Sequence, residues 1–368
     1  MFCNIDNRMD ASFAPRSGDR SFSGLPFVRW GRAICGRLTG RGCLQILVAV
    51  SGFVNSPGVR AEERFLLAAD NQVVEVNRAG RATDGIGKQG HTGIYEAWRL
   101  PDGGVAYAHK GGLAVFDAQK RLVVSHAARA GSKGGEANSC VVLGGGERFA
   151  LLDSGVGQIR VVDRSGAVVS ETPLPGLEED PLHSRYRTIR AVPGERAYWV
   201  AQYGRKTLLK LEEGTGRVME TRGLDALLKT RSLGPAFGVT VLPDASLWVA
   251  TSTGRLLVHL GAKGEVVDQW SADQLGLRCR YLLGTQRLSN GNLLVACGDY
   301  HLKTVEEGRD LLAELDAAGR VVWRLSRDQL VDQIEGHVEL RTGLEEMRIT
   351  NVHAYDSERI EQVLEAVR

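Results

Sequence analysis

The sequence predicts an all-β fold, a six-bladed β-propeller with four antiparallel strands in each blade. Three observations carry this prediction. A strand–turn–strand phrase occurs six times, a hairpin phrase of a second kind lies between its copies, and the two ends of the repeated region complement each other. A β-sandwich also uses hairpins, but it does not repeat one ordered pair of phrases along the chain.

The first phrase is an apolar strand that ends in an acidic or polar residue, followed by a tight turn and a second apolar strand. The copy at 159–166 ends in Asp163-Arg164-Ser165-Gly166, and Val168-Val169 begins its second strand. A glycine in most of the turns supplies the positive φ that such turns need. The six copies begin at Val73, Leu113, Ile159, Leu208, Leu256 and Leu311.

The second phrase is a hairpin between two apolar runs. Its turns are Pro101-Asp102-Gly103, Pro243-Asp244-Ala245 and Asn290-Gly291, with weaker copies at 142–151 and 192–200. Proline presets φ for a turn, and glycine or asparagine accepts a positive φ. The two phrases together give four short strands in each unit of roughly 40–55 residues, the pattern of a propeller blade.

The ends of the repeated region predict how the ring closes. Strand 64–69 begins the region without a first strand before it, and the phrase at 348–356 is a first strand without followers. Pairing them places the C-terminal strand A beside N-terminal strands B to D and removes exposed sheet edges. We therefore expect the propeller to span 62–356, followed by a helical tail at 357–368.

Residues 1–61 have the order of a secretory signal peptide with a long basic N-terminal extension. An apolar run at 43–54 is preceded by Arg29, Arg32, Arg37 and Arg41, and Val59 and Ala61 place small or apolar residues before a cut at Glu62. The run is shorter than the roughly 20 residues that span a bilayer. These features predict export to the periplasm or beyond, with no membrane span after signal removal. The unusual length of the extension suggests a true start near Val28, and a disordered cytosolic tail is the alternative.

Composition excludes several functions. Without residues 1–61 the chain has a small acidic excess, which argues against nucleic acid as a partner. Three cysteines remain after residue 61, enough for at most one disulfide. The chain has no C-x-x-C pair, so a structural zinc site is not expected. We expect no metal and no cofactor. No G-x-S-x-G or H-E-x-x-H motif occurs, and Gly85–Gly90 matches G-x-G-x-x-G outside any strand–helix unit.

The repeat phrases across most of 62–356 resemble bacterial six-bladed propellers of the NHL, virginiamycin-B-lyase-like and arylsulfotransferase-like group, which share quinoprotein-like repeats. The resemblance rests on the phrases and carries no catalytic signature. It implies that strand A of each blade lines a central channel and that ligands bind at one mouth. Quinoprotein dehydrogenases have eight blades with a tryptophan-docking phrase in each; this chain has neither, so no quinone is expected. The paired histidines of an arylsulfotransferase cannot be placed.

The long connections all follow the fourth strand of a blade, at about 173–187, 223–235, 271–280 and 326–347, so they share one face. Short helices are expected within them, at 224–228 and 328–331. Polar residues on or near strand A should point into the channel. The candidate ligand-binding residues are Glu96, Glu136, Asn138, His183, Arg187, Arg190, Gln286, Asn351 and His353.

These candidates suit a polar or anionic ligand, and polar channel residues can equally bond one another and ordered water. We expect a monomeric, exported binding propeller whose partner is a small molecule, a carbohydrate or a protein. The alternative is an enzyme at the channel mouth, a lyase, hydrolase or transferase acting on a polar or sugar-like substrate, in which a Glu and a His form a catalytic dyad. One fold hosts many chemistries, so only the site can decide between them.

Overall fold

The protein is a six-bladed β-propeller in which each blade is a four-stranded antiparallel sheet, as the repeat predicts. The computed structural model describes residues 63–69, 71–86, 89–131, 134–176, 179–228, 234–298, 309–332 and 349–355. The expected signal peptide at 1–61 and the expected helical tail at 357–368 lie outside these residues.

Five blades are each formed by four consecutive strands, A to D in chain order, and the A strands of neighbouring blades contact one another around the centre. Blade 2 is β4 (Ile94–Arg99), β5 (Val105–His109), β6 (Gly112–Phe116) and β7 (Leu122–Ala127); blade 3 is β8 (Ala137–Leu143), β9 (Arg148–Asp153), β10 (Gln158–Asp163) and β11 (Val168–Pro173); blade 4 is β12 (Tyr186–Ala191), β13 (Ala197–Gln202), β14 (Thr207–Glu212) and β15 (Val218–Gly223); blade 5 is β16 (Gly238–Val241), β17 (Leu247–Ala250), β18 (Leu256–Leu260) and β19 (Val266–Ser271); blade 6 is β20 (Tyr281–Arg287), β21 (Leu293–Gly298), β22 (Asp310–Leu315) and β23 (Val321–Ser326).

Blade 1 joins the two ends of the propeller. The C-terminal strand β25 (Ile349–Tyr355) pairs antiparallel with β1 (Arg64–Ala69), which is followed by β2 (Gln72–Asn77) and β3 (Arg81–Ile86). The predicted closure is therefore confirmed. A ring of blades closed in this way leaves only short outer strand edges exposed.

A second closure was not predicted. After β23 the chain makes a 3-10 turn at Arg327–Gln329 and forms β24 (Val331–Asp332), which pairs in parallel with the outer edge of β3. Blade 6 is thus linked to blade 1 at both the inner and the outer edge. The short helix expected at 328–331 is present only as this 3-10 turn, because the chain enters the sheet from Val331. The helix expected at 224–228 forms as α1 (Leu224–Leu228).

The core lies between the blades, because each sheet is buried on both faces. Val115 of β6 and Phe149 of β9 belong to one apolar cluster between blades 2 and 3, and Phe65 of β1 joins Leu312 of β22 between blades 1 and 6. Middle strands such as β5 and β6 are buried at every position, while the outer strand β7 is mostly exposed. Stacking of neighbours is what stabilises a repeat whose single unit cannot bury both of its faces.

Two further properties bear on the sequence expectations. Cys140, Cys279 and Cys297 are buried and carry free thiols. Among the described residues, no helix has the length and apolar character needed to cross a bilayer.

Candidate functional site

Neighbouring inner strands are joined by side chains that bond to the main chain of the next blade. At the junction of blades 6 and 1, the Gln286 amide donates to the Ala354 carbonyl at 2.8 Å and accepts from the Ala354 N–H at 2.7 Å. The exposed edge of an inner strand carries unpaired main-chain groups, and such groups are costly to bury without partners. Gln286 satisfies two of them.

The other five junctions repeat this arrangement with different side chains. Between blades 3 and 4, Asn138 Nδ2 donates to the Tyr186 carbonyl at 2.6 Å. The remaining contacts are Glu96 with the Cys140 N–H, His353 Nδ1 with the Arg99 N–H, Thr188 with the Phe237 carbonyl and Thr240 with the Thr285 carbonyl. Four predicted candidates, Glu96, Asn138, Gln286 and His353, therefore bond to an adjacent blade.

Arg190 contacts one of these bridging side chains. It forms an ion pair with Glu96 at 2.5 Å and lies 5.6 Å from the ring of Trp98, which in turn is 4.7 Å from the His353 ring. Burial, followed by the charges of Arg99 and Arg190, lowers the pKa of His353 to about 3. His353 is therefore neutral at physiological pH, which does not suit proton transfer there.

A second cluster lies where the inner strands of blades 2 to 4 begin, on the face of the long connections. Glu136 immediately precedes β8, His183 lies in the 3-10 turn Leu182–Ser184, Arg187 is the second residue of β12, and Tyr95 is the second residue of β4. The structure thus brings together the predicted candidates Glu136, His183 and Arg187. Of Asn351, the structure describes only the backbone, in β25.

Glu136 is the centre of this mouth cluster. Its Oε1 atom accepts from the Tyr95 hydroxyl at 3.2 Å and lies 3.1 Å from His183 Nδ1 and 3.8 Å from Arg187 Nη1. Burial alone would raise the pKa of Glu136, but the His183 contact and the Arg187 charge outweigh it and lower the pKa. Burial, followed by the Glu136 charge, raises the pKa of Tyr95 to about 12. Glu136 is thus ionised and Tyr95 is a neutral donor.

The mouth cluster has buried and exposed members. The side chains of Glu136 and Arg187 are each 4% exposed, whereas that of His183 is 63% exposed. Because the ionised Glu136 can only accept, the Nδ1 atom of His183 carries the proton in their hydrogen bond. The Nε2 atom of a neutral His183 is then an acceptor on an exposed imidazole.

Aromatic residues surround Arg187, and sequence reasoning missed two of them. The guanidinium carbon lies 5.7 Å from the ring centre of Tyr95, 5.1 Å from that of Tyr203 and 5.8 Å from that of Phe237. Tyr203 directly follows β13 and Phe237 directly precedes β16, so both lie at strand ends on the face of the long connections. Their position at those strand ends is the signal that could have identified them.

Three buried polar atoms near the mouth cluster have no hydrogen-bond partner in the described part of the chain: Arg187 Nε, Asn138 Oδ1 and Ser154 Oγ. Hydrogen bonds link the segments that carry them, since Asn138 Nδ2 donates to the carbonyl of the residue before Arg187 and the Ser154 N–H donates to the Glu136 carbonyl. Unpaired buried polar atoms are uncommon and point to water or a ligand. No group of three metal-binding side chains occurs among the residues that are described.

The fold is that of a six-bladed propeller with a cluster of polar side chains where the inner strands of blades 2 to 4 begin. No family model matches the chain, and no curated protein matches it. Among solved structures, a protein of unknown function from Bacteroides caccae is 18% identical with a TM-score of 0.65, over 80% of this chain and 98% of that chain.

Two further solved structures have the same fold at lower similarity. A streptogramin B lyase is 11% identical with a TM-score of 0.50, over 73% of this chain and 84% of its own. A chain of a nidogen/laminin complex is 14% identical with a TM-score of 0.53, over 79% of this chain and 98% of that chain. At these identities the likeness establishes the fold alone. The expected resemblance to lyase-type six-bladed propellers is confirmed at that level, and the NHL and arylsulfotransferase resemblance stays a prediction.

Proposed function

We propose that this protein is an exported propeller that binds a polar, anionic ligand at the mouth formed by blades 2 to 5. The observation that carries the proposal is that the exposed His183 imidazole and the buried Arg187 guanidinium lie 3.1 Å and 3.8 Å from the same Glu136 oxygen. A buried charge is costly unless it is paired, and at 3.8 Å the Glu136 carboxylate pairs with Arg187 without a close hydrogen bond. The mouth also lies on the face with the long connections, where ligand sites concentrate.

The hydrogen bonds leave Arg187 able to bind an anion. The Glu136 carboxylate accepts hydrogen bonds from Tyr95 and His183. Arg187 Nη1 lies 3.8 Å from Glu136 Oε1, beyond hydrogen-bond distance. A guanidinium has five N–H donors, and Nε has no partner among the described residues. His183 adds an exposed group that becomes a second cation when it is protonated.

Ligand-induced stabilisation tests the proposal. Sulfate, acetate and citrate are added to the purified protein and the melting temperature is recorded. We expect at least one anion to raise it, and His183→Ala and Arg187→Lys to reduce the rise. Arg205→Ala is the matched control, because Arg205 is an exposed arginine of the same blade paired with Asp180. No rise with any anion, or an equal rise in all variants, would contradict the proposal.

A proton-transfer enzyme is the second candidate function, and the 3.1 Å contact between Glu136 and His183 favours it. A carboxylate that holds an imidazole fixes its tautomer and presents the other nitrogen to a substrate. The lyase, hydrolase and transferase alternatives would all use His183 Nε2 as the base. In an enzyme, His183→Gln abolishes turnover while ligand binding persists; in a binding protein it lowers affinity and no turnover exists to be lost.

A further inference from the structure

We propose that the ligand of the mouth cluster is a sugar acid, a hydroxylated six-membered ring that carries a carboxylate, as in a hexuronate. This inference rests on the proposed function and adds the chemical class of the ligand. Three features carry it: the Arg187 Nε atom that lacks a partner among the described residues, the aromatic side chains around that guanidinium, and the other buried polar atoms that lack partners.

The carboxylate follows from Arg187. Tyr95, Tyr203 and Phe237 lie within 5.8 Å of the guanidinium carbon and surround the group. A ligand therefore has to approach the edge, where Nε is unpaired among the described residues. The N–H groups along the edge of a guanidinium form a fork that matches the two oxygens of a planar carboxylate.

The ring follows from the aromatic side chains. Tyr95, Tyr203 and Phe237 are each half-buried, so each residue keeps part of its surface exposed. Aromatic rings offer a broad apolar surface, and the tyrosines add a polar end. A small inorganic anion would leave this surface in water. The C–H face of a sugar ring would cover it.

The hydroxyl groups follow from the unpaired atoms. Asn138 Oδ1 can only accept a hydrogen bond, and Ser154 Oγ can accept or donate. His183 Nε2 is a further acceptor when the imidazole is neutral. Asn138 Oδ1 and His183 Nε2 require donors, which neither acetate nor benzoate has as an anion. Among simple ligands, a sugar acid combines donors, a ring and a carboxylate.

Isothermal titration calorimetry on the full protein tests the ligand class, with small molecules that each carry or lack one of the three features. D-glucuronate and D-galacturonate carry all three features, glucose lacks the carboxylate, benzoate lacks the hydroxyls and acetate lacks both ring and hydroxyls. We expect one uronate to bind at least about tenfold more tightly than each of the other three, a difference of about 1.4 kcal/mol. Acetate or benzoate binding as tightly as both uronates would overturn the class and leave the proposed function intact. Binding of none of the probes would overturn the sugar-acid class, and the proposed function would also fail only if no anion raises the melting temperature.

Two variants separate the contributions of ring and charge. Phe237→Leu keeps an apolar side chain but removes one aromatic surface, so we expect the uronate preference over acetate to shrink while acetate binding remains. Arg187→Lys keeps the charge but removes the fork, so uronate and acetate binding should both weaken. Arg205→Ala should leave every affinity unchanged. An unchanged uronate-to-acetate ratio in folded Phe237→Leu would contradict the role of the aromatic side chains.

Discussion

The side-chain amide of Gln286 makes with Ala354 the pair of hydrogen bonds that a neighbouring β-strand would make, donating at 2.8 Å and accepting at 2.7 Å. Gln286 lies on the inner strand of the last complete blade, and Ala354 lies on the C-terminal strand that completes the first. This contact joins the inner strand of blade 6 to the inner strand of blade 1. Side chains perform the same role at the other five junctions.

Replacement of Gln286 should destabilise the propeller without changing its secondary structure. Gln286→Leu leaves the Ala354 N–H and carbonyl without their partners, which costs about 1–3 kcal/mol. Urea unfolding followed by circular dichroism measures this loss. Gln119→Ala is the control, since Gln119 is exposed and contacts Arg121 at 3.4 Å. Equal stability of the two variants would show that Gln286 does not hold the closure.

Breaking the buried ion pair of Arg160 and Asp153 should lower the free energy of unfolding far more than breaking a surface pair. Both side chains are at most 1% exposed, and Arg160 also bonds to the Ala127 carbonyl of the preceding blade. Arg160→Met leaves Asp153 buried without its cation, and we expect a loss of about 3–5 kcal/mol in urea unfolding. Arg121→Ala removes an exposed partner of Asp117 and should cost no more than about 1 kcal/mol. Similar losses for both variants would contradict this ranking.

Stability should fall on acidification because of His109. Its ring stacks on His91 at 3.9 Å between centres, and its Nδ1 accepts from the Gly111 N–H at 3.2 Å. Burial, followed by the charge of His91, lowers the pKa of His109 to about 4, below the value of 6.5 expected in the unfolded chain. The folded state thus favours the neutral ring. Its contribution is complete above about pH 6.5 and is lost as the pH falls from there towards 4.

Unfolding free energies measured between pH 7.5 and 4.5 test this expectation. Each proton taken up on unfolding contributes a slope of up to about 1.4 kcal/mol per pH unit. His353, whose pKa is lowered to about 3 by burial and then by Arg99 and Arg190, adds in the same direction. His109→Gln should reduce the slope, while Arg205→Ala should not. A slope unaffected by His109→Gln would contradict the assignment.

The inner strands of blades 5 and 6 approach too closely for a side chain at Gly238. An added Cβ would collide with the Leu283 carbonyl, whereas at Gly223 nothing lies within 4 Å. Gly238→Ala should therefore lower stability by about 1–3 kcal/mol through overpacking. Gly223→Ala, the control, should be close to neutral. Thermal unfolding monitored by circular dichroism distinguishes the two, and a neutral Gly238→Ala would show that the junction can widen without cost.

The sequence predicted much of the fold because a blade is a local object. Hairpin turns such as Pro101-Asp102-Gly103 and the strands beside them lie within a few residues of each other, so their pattern is visible along the chain. The pairing of β24 with β3 could not be predicted in this way. Its two residues carry no strand pattern of their own, and they pair with a strand about 250 positions earlier.

The candidate site was predicted only in part, for a related reason. Sequence placed Glu136, Gln286 and His353 together as channel residues, but the structure separates them. Glu136 joins His183 and Arg187 at the mouth, while Gln286 and His353 bond to the main chain of an adjacent blade. Both roles require a polar residue on or near an inner strand, so composition cannot distinguish them.

By itself, the sequence determined the number of blades, the order of their strands and the closure of the ring by the C-terminal strand. Only the tertiary structure decided which polar side chains join blades and which meet at the mouth, and it alone placed Tyr203 and Phe237 around Arg187. The physical reason is that strands within a blade pair through neighbouring segments, whereas contacts between blades depend on how six separate sheets twist and pack around one axis.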